Sequence, residues 1–377
     1  MSSIFLGFQT VASPMVLLFL VLGCVVGLVI GALPGLTGNM AIALMVPMTF
    51  GMQPSVGLAF LAAIYCSSIY GGSISAILLG IPGTISSFAT TLDGYPLAKQ
   101  GKAGLALGTS TMASVFGGLF SALVLMFLTP VLADFALKFG PGEYFAISLL
   151  GIACITSISG DNIPKGLLSG MIGLLIAVIG MDPQNGTPRL TFGNVNLLSG
   201  ISLVASLIGL FGIVSVMKTA EACKNVKTTS TMPTVDNVWI GWKECMRQFP
   251  VWLRASVIGT IVGIIPGAGT NVATFMAYDI EKKLSGDPDS FGNGNVNGVA
   301  APEAANNAVT GGSLVPLLAL GVPGNSTSAL FLGAIMIHGM RTGPVFFTEH
   351  PDIIYGLFIS IIIANIIMAP LGTFTLR

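Results

Sequence analysis

Uncharged polar side chains that follow Pro-Gly breaks in apolar runs are the residues here whose type and spacing suit chemistry. Asn39 follows Pro34-Gly35, and Thr84 and Ser86 follow Pro82-Gly83. Asn271 follows Pro266-Gly267, and Asn325 and Ser326 follow Pro323-Gly324. The chemistry they suit is anion binding. A helix start exposes unpaired N–H groups and about half a positive charge, and several starts aimed at one cavity favour an anion there. Pro is accepted in a first turn and Gly allows close backbone approach. Hydroxyls and amides at such places cap the helix or donate to a carboxylate. The candidate substrate-binding set is therefore Pro34, Gly35, Asn39, Gly83, Thr84, Ser86, Pro266, Gly267, Asn271, Gly324, Asn325 and Ser326. Carbonyls freed at a break can instead hold sodium.

A second constellation lies between the breaks. Glu303, Asn306, Asn307 and Thr310 stand at i, i+3, i+4 and i+7, one face of a helix inside an apolar region. Such a face belongs against a cavity rather than lipid. With Ser67, at the small polar end of the run Val56–Tyr70, these are candidate coupling-ion or cavity-lining residues. Glu303 reads in three ways: a coupling-ion or proton residue, a structural partner for the broken backbone, or a carboxylate at a helix start, since Pro302 precedes it. The cysteines (Cys24, Cys66, Cys154, Cys223, Cys245) are scattered, and His338 and His350 stand outside ligand spacing. No Ser/His/Asp arrangement, phosphate-cradling loop or metal motif is visible. The chain therefore reads as neither an enzyme nor an ATP-driven pump, with no cofactor beyond a coupling sodium ion or proton.

The elements that must position these residues repeat. Gly27, Gly31, Pro34, Gly35 and Asn39 recur 232 residues later as Gly259, Gly263, Pro266, Gly267 and Asn271. Gly71-Gly72-Ser73 and the following Gly80-Ile81-Pro82-Gly83 return as Gly311-Gly312-Ser313 and Gly321-Val322-Pro323-Gly324. Two echoes in the same order point to an internal duplication. The chain has 377 residues, 53% hydrophobic and only 8% charged, with mean hydropathy +0.89. Soluble proteins carry roughly 25% charged residues, and runs such as Pro14–Leu33, Leu105–Leu132, Gly166–Gly180 and Leu197–Met217 suit membrane spans. The fold class is all-α and polytopic in the membrane, with duplicated halves of inverted topology and broken or re-entrant helices. Zero net charge offers no field for nucleic acid.

Three parts follow: a first repeat over 1–217, a linker over 218–250 and a second repeat over 251–377 that is shorter than the duplication requires. Asp93–Lys102 reads as a polar loop. Met217–Arg254 is rich in Lys and Arg and holds Trp239, Trp242 and Trp252, which places it on the cytoplasmic side with interfacial anchors and room for a helix lying along the membrane surface. A break at matched places in two halves is the sequence mark of a transporter's binding site. A channel or a non-transporting sensor is the alternative.

The motifs also resemble a known family. The run Gly31 to Asn39, Tyr70-Gly-Gly-Ser-Ile74, Ile81-Pro-Gly-Thr84, Asp93-Gly-Tyr-Pro96, Gly101-Lys-Ala-Gly104, Ile265-Pro-Gly-Ala-Gly269, Pro302-Glu-Ala-Ala-Asn-Asn307 and Gly321-Val-Pro-Gly324 are similar to the large membrane subunit of tripartite tricarboxylate transporters, the TctA family. The resemblance implies a multi-pass secondary transporter of the bacterial inner membrane, driven by sodium or protons. It implies citrate-like carboxylates as solutes, a small membrane subunit as partner and a periplasmic solute-binding protein that delivers the solute.

Overall fold

The computed structural model describes residues 2–158, 162–182, 185–202 and 238–374, with short pieces between 205 and 235. Most of the linker lies outside the described residues, and within the expected span Leu197–Met217 the described part includes a π-helix, Ile208–Ile213. The first half contains α1 (Ser2–Val11), α2 (Pro14–Ala32), α3 (Gly38–Thr49), α4 (Pro54–Leu79), a 3-10 turn (Ile85–Ser87), α5 (Phe88–Lys99), α6 (Ala103–Ala136), α7 (Pro141–Ile158) and α8 (Ile163–Ala177). The second contains α9 (Trp242–Ile264), α10 (Gly269–Leu284), α11 (Asn297–Leu320), α12 (Ser326–Ile337), α13 (Pro344–Glu349) and α14 (Pro351–Phe374). A two-stranded antiparallel ribbon pairs Gly180 with Arg189. Among the described residues, four helices are long and apolar enough to cross a membrane: Pro14–Ala32, Pro54–Leu79, Ala103–Ala136 and Pro351–Thr373.

Local sequence sets the helix ends. Proline opens α2 and α4, where its missing N–H costs nothing. Gly80 ends α4 at φ +68° and Gly321 ends α11 at φ +77°, the left-handed stop that glycine favours. Proline then prevents either helix from resuming in register.

Two helices, α4 and α11, form the centre, and nearly all their residues are buried. Helix α2 packs along α4 as α9 packs along α11, while α6 runs beside α11 and α14 closes on α6 and α4. Close approach depends on glycine: a Cβ on Gly31 would lie 2.2 Å from the Ser68 carbonyl oxygen, and one on Gly259 2.3 Å from that of Ala305. These contacts refine the register of the duplication. Gly71 lies against Leu28 and Gly31 of α2, and Gly312 lies against their counterparts Thr260 and Gly263 of α9. Gly71 therefore matches Gly312, one residue beyond the sequence pairing with Gly311.

Several expectations are corrected. Asp93–Lys102 is mostly helix, because α5 extends to Lys99, and Asp93 is buried. Helix α9 begins at Trp242 and passes through the 250/251 boundary, so Trp242–Arg254 is not loop. Trp239 and Trp242 are exposed, but Trp252 is buried and packs its ring against Phe116, so it is no interfacial anchor.

Candidate functional site

The four breaks converge. One cavity of about 430 Å³ is lined by residues 37–39, 84–86, 267–272 and 325–327, with Tyr65, Ser68 and Ile69 of α4. Within each half the two breaks touch. The Gly83 N–H donates to the Gly72 carbonyl at 3.1 Å, and a Cβ on Gly83 would lie 2.3 Å from the Gly31 carbonyl oxygen. In the other half the Gly267 N–H donates to the Gly324 carbonyl at 2.9 Å. The Gly83 N–H freed by its break is thus satisfied within α4, and the Gly267 N–H by the other break of its half, which lets irregular chain exist at this depth.

None of the lining side chains is charged. Polarity comes from hydroxyls, amides and helix starts, and the starts differ. Thr37 caps α3, its Oγ1 accepting from the Met40 N–H at 3.2 Å. Asn325 caps α12 in a reciprocal box, accepting from the Ser328 N–H at 2.8 Å while its own N–H donates to Ser328 Oγ at 2.9 Å. Helix α10 has no side-chain cap, and the position matching Thr37 is Gly269. Thr84 makes no backbone cap either; its hydroxyl bonds those of Ser86 at 3.1 Å and Ser87 at 2.7 Å. The uncapped N–H groups of α10 beside the 85–87 turn are the donors free for an anion.

The halves also bond across the cavity. Asn39 Nδ2 donates to Ser326 Oγ at 2.8 Å, and Asn39 Oδ1 accepts from the Thr327 hydroxyl. Tyr65 Oη lies 3.1 Å from Ser313 Oγ and accepts from Asn325 Nδ2 at 3.1 Å.

Of the residues singled out in the sequence, Asn39, Thr84, Ser86, Gly267, Asn271, Asn325 and Ser326 line the cavity. Pro34, Gly35, Gly83, Pro266 and Gly324 are not among its lining residues; they make the bends behind it. The wall also includes Thr327, which like Ser326 was expected to cap or to donate to a carboxylate, and Thr37, Tyr65, Ser68 and Thr270, which the sequence reading did not select. Thr37 carried the same signal, a hydroxyl within a few residues of a Pro-Gly break.

Glu303, Asn306, Asn307, Thr310 and Ser67 do not line this cavity. Ser67 donates to the Ala63 carbonyl at 2.6 Å and Thr310 to the Asn307 carbonyl at 2.6 Å, both within their own helices. Glu303 is no helix-start residue. It lies within α11, fully buried, because Pro302 is carried inside the helix. Its Oε1 accepts from Ser73 at 2.6 Å and from Thr90, and its Oε2 accepts from Ser110 and Ser114, each at 3.0 Å. The i,i+4 pair Ser110 and Ser114 on one face of an apolar helix was the legible half of this shell. None of the ion pairs among the described residues includes Glu303. One turn beyond it, both amide atoms of Asn306 and the Asn307 Oδ1 are buried without a hydrogen-bond partner.

Asp93 is, like Glu303, completely buried. Its Oδ1 accepts from the Gly292, Gly294 and Asn295 N–H groups at 2.9, 2.8 and 2.7 Å, and its Oδ2 from Tyr278 Oη at 2.8 Å. It ties α5 to α10 and to the glycine-rich loop before α11, joining the two halves.

Comparison with known proteins follows the same architecture. Residues 17–377 match the Tripartite tricarboxylate transporter TctA family. An Agrobacterium vitis protein described as "Uncharacterized 52.8 kDa protein in TAR-I ttuC' 3'region" is 37% identical over 98% of this chain and 74% of its own length. A second from that organism, "Uncharacterized protein in TAR-II ttuC' 3'region", is 41% identical over 30% of this chain and 47% of its own length. No solved structure matches.

Proposed function

The chain belongs to the tripartite tricarboxylate transporter TctA family, and from that premise we propose that it is a non-enzymatic permease importing small, citrate-like carboxylates across a bacterial inner membrane. The observation that carries the proposal is the meeting of four chain breaks on one uncharged polar cavity. The solute's carboxylates bind the uncapped N–H groups of α10 and the hydroxyls of Thr84 and Ser86, with Asn271 and Asn325 as further amide donors. A periplasmic solute-binding protein delivers the solute, and a small membrane subunit completes the assembly.

Uptake is driven by a cation, sodium or a proton. Two features support this. The binding cavity has no basic side chain to balance a multiply charged anion. Glu303 is a buried carboxylate held only by hydroxyl donors, beside the unpartnered oxygens of Asn306 and Asn307, a hard-oxygen set suited to a small cation.

The test is uptake of radiolabelled citrate and smaller hydroxydicarboxylates by vesicles containing the full assembly. Imposed sodium and proton gradients are compared. Accumulation above the external concentration under one gradient is expected. Equilibration without accumulation would identify a channel. Binding without movement would identify a sensor.

A further inference from the structure

The pseudo-symmetry of the two halves is broken at the cavity's two sides. On one side α3 packs against α12, and Asn39 holds Ser326 and Thr327. On the other, α10 packs against the 85–87 turn. Asn271 stands where Asn39 stands, 232 residues on. Ile85 and Ser86 stand where Ser326 and Thr327 stand, 241 residues back in the register fixed by Gly71 and Gly312. Yet Asn271 is exposed into the cavity, and the only described side-chain partner of the Ser86 hydroxyl is Thr84. The first cross-half bond is made and its symmetric counterpart is not.

We infer that Asn39 and Asn271 are alternating gate residues. Asn39 closes one side of the cavity by gripping Ser326 and Thr327. Asn271 closes the other by gripping Ser86 when the Asn39 bonds are released. The two closures are the same motion carried out by duplicated parts, so they exclude one another. They are also unequal. Asn39 has two hydroxyl partners, whereas Asn271 has one, because Ile85 offers no acceptor at the place of Ser326. The Asn39-closed form is therefore the resting form, by roughly the fivefold to tenfold that one extra hydrogen bond confers. In each gate an amide does what a salt bridge would do elsewhere, without leaving a buried charge uncompensated when it opens.

The inference rests on the transport reading for its purpose, but its test does not. Two cysteine pairs are placed separately in the full chain, in a background with the native cysteines replaced: Asn39→Cys with Thr327→Cys, and Asn271→Cys with Ser86→Cys. Membranes are treated with a short thiol cross-linker in the absence of any carboxylate. The first pair should link readily and the second slowly. Asn39→Ala, added to the second pair, removes the bonds of the first gate and should speed its linking at least fivefold. Adding Thr327→Val to the second pair should do the same by weakening the first gate. With all four cysteines present, each molecule should acquire one link only. Failure of the second pair to link in every background, or two links in one molecule, would overturn alternation. Absence of citrate uptake by the unsubstituted protein, with normal cross-linking in the variants, would instead count against the proposed solute.

Discussion

Helices α4 and α11 occupy equivalent places, yet they do different work. Their outer faces match: each receives a glycine-bearing partner, α2 with Gly27 and Gly31 or α9 with Gly259 and Gly263. Their inner faces diverge at positions 241 residues apart. Ala62 of α4 matches Glu303 of α11, and Tyr65 matches Asn306. Tyr65 is long enough to reach Ser313 and Asn325, and both its bonds are made. Asn306 is shorter, fully buried, and without a hydrogen-bond partner. Duplication thus preserved the packing that bends the chain and surrendered the symmetry of the polar interior. Only the second half carries a carboxylate at its centre. That carboxylate belongs to one half, while the uncharged cavity is built by both.

The comparison breaks most completely at Glu303. Glu303→Ala removes the one acceptor for Ser73, Thr90, Ser110 and Ser114. Each hydroxyl left buried and unpaired costs roughly 1–3 kcal/mol. Thermal aggregation of the detergent-solubilised protein should start far lower, and uptake should vanish. Glu303→Gln keeps one acceptor oxygen; it should restore folding in that assay but not cation-driven uptake.

Asp93 is the matching test in the first half, since the position 241 residues on is Ala334. Asp93→Ala strips the acceptor from three backbone N–H groups and Tyr278. A loss of about 3 kcal/mol, the scale of bonds to a charged group, is expected. Limited proteolysis should then cut the 285–296 loop.

The outer faces can be compared through two alanines. A Cβ on Gly31 meets the Ser68 carbonyl oxygen at 2.2 Å, but one on Gly263 meets Gly312 Cα at 3.1 Å. Gly31→Ala should cost about 1–3 kcal/mol, the range for overpacking, and Gly263→Ala less. The ranking would appear in melting temperatures of the purified variants. Equal losses would mean the two helix pairs yield alike.

Smallest of all should be Asn306→Ala. The side chain makes no bond to lose, so stability should change by about 1 kcal/mol or less, in either direction. Tyr65→Phe, which removes the bonds to Ser313 and Asn325, should cost more. A cation-dependent rise in melting temperature that survives Asn306→Ala would remove that amide from the cation's surroundings.

Much was legible before the fold was known because the signals are local. A proline removes an N–H wherever it stands, and glycine tolerates a left-handed stop wherever the chain needs one. The breaks at 33–37, 80–84, 265–268 and 321–325 could therefore be placed from sequence. The character of Asp93 was hidden for the opposite reason. Beside Lys99 and Lys102 it has the composition of a solvated loop, and its donors are about 200 residues away in the chain. Trp252 misled likewise: two neighbouring tryptophans are exposed, and only the packing of α9 against α6 takes the third inside.

Sequence by itself determined the membrane class, the duplication, the four interruptions and the polar residues that follow them, since each depends on hydropathy or on backbone chemistry within a few residues. Tertiary structure alone decided which interruptions face one another, which helix starts are already capped, and where Glu303 finds its hydroxyls. Those outcomes depend on distances between segments far apart along the chain, and such distances are set by how glycine-lined helices close on each other in three dimensions.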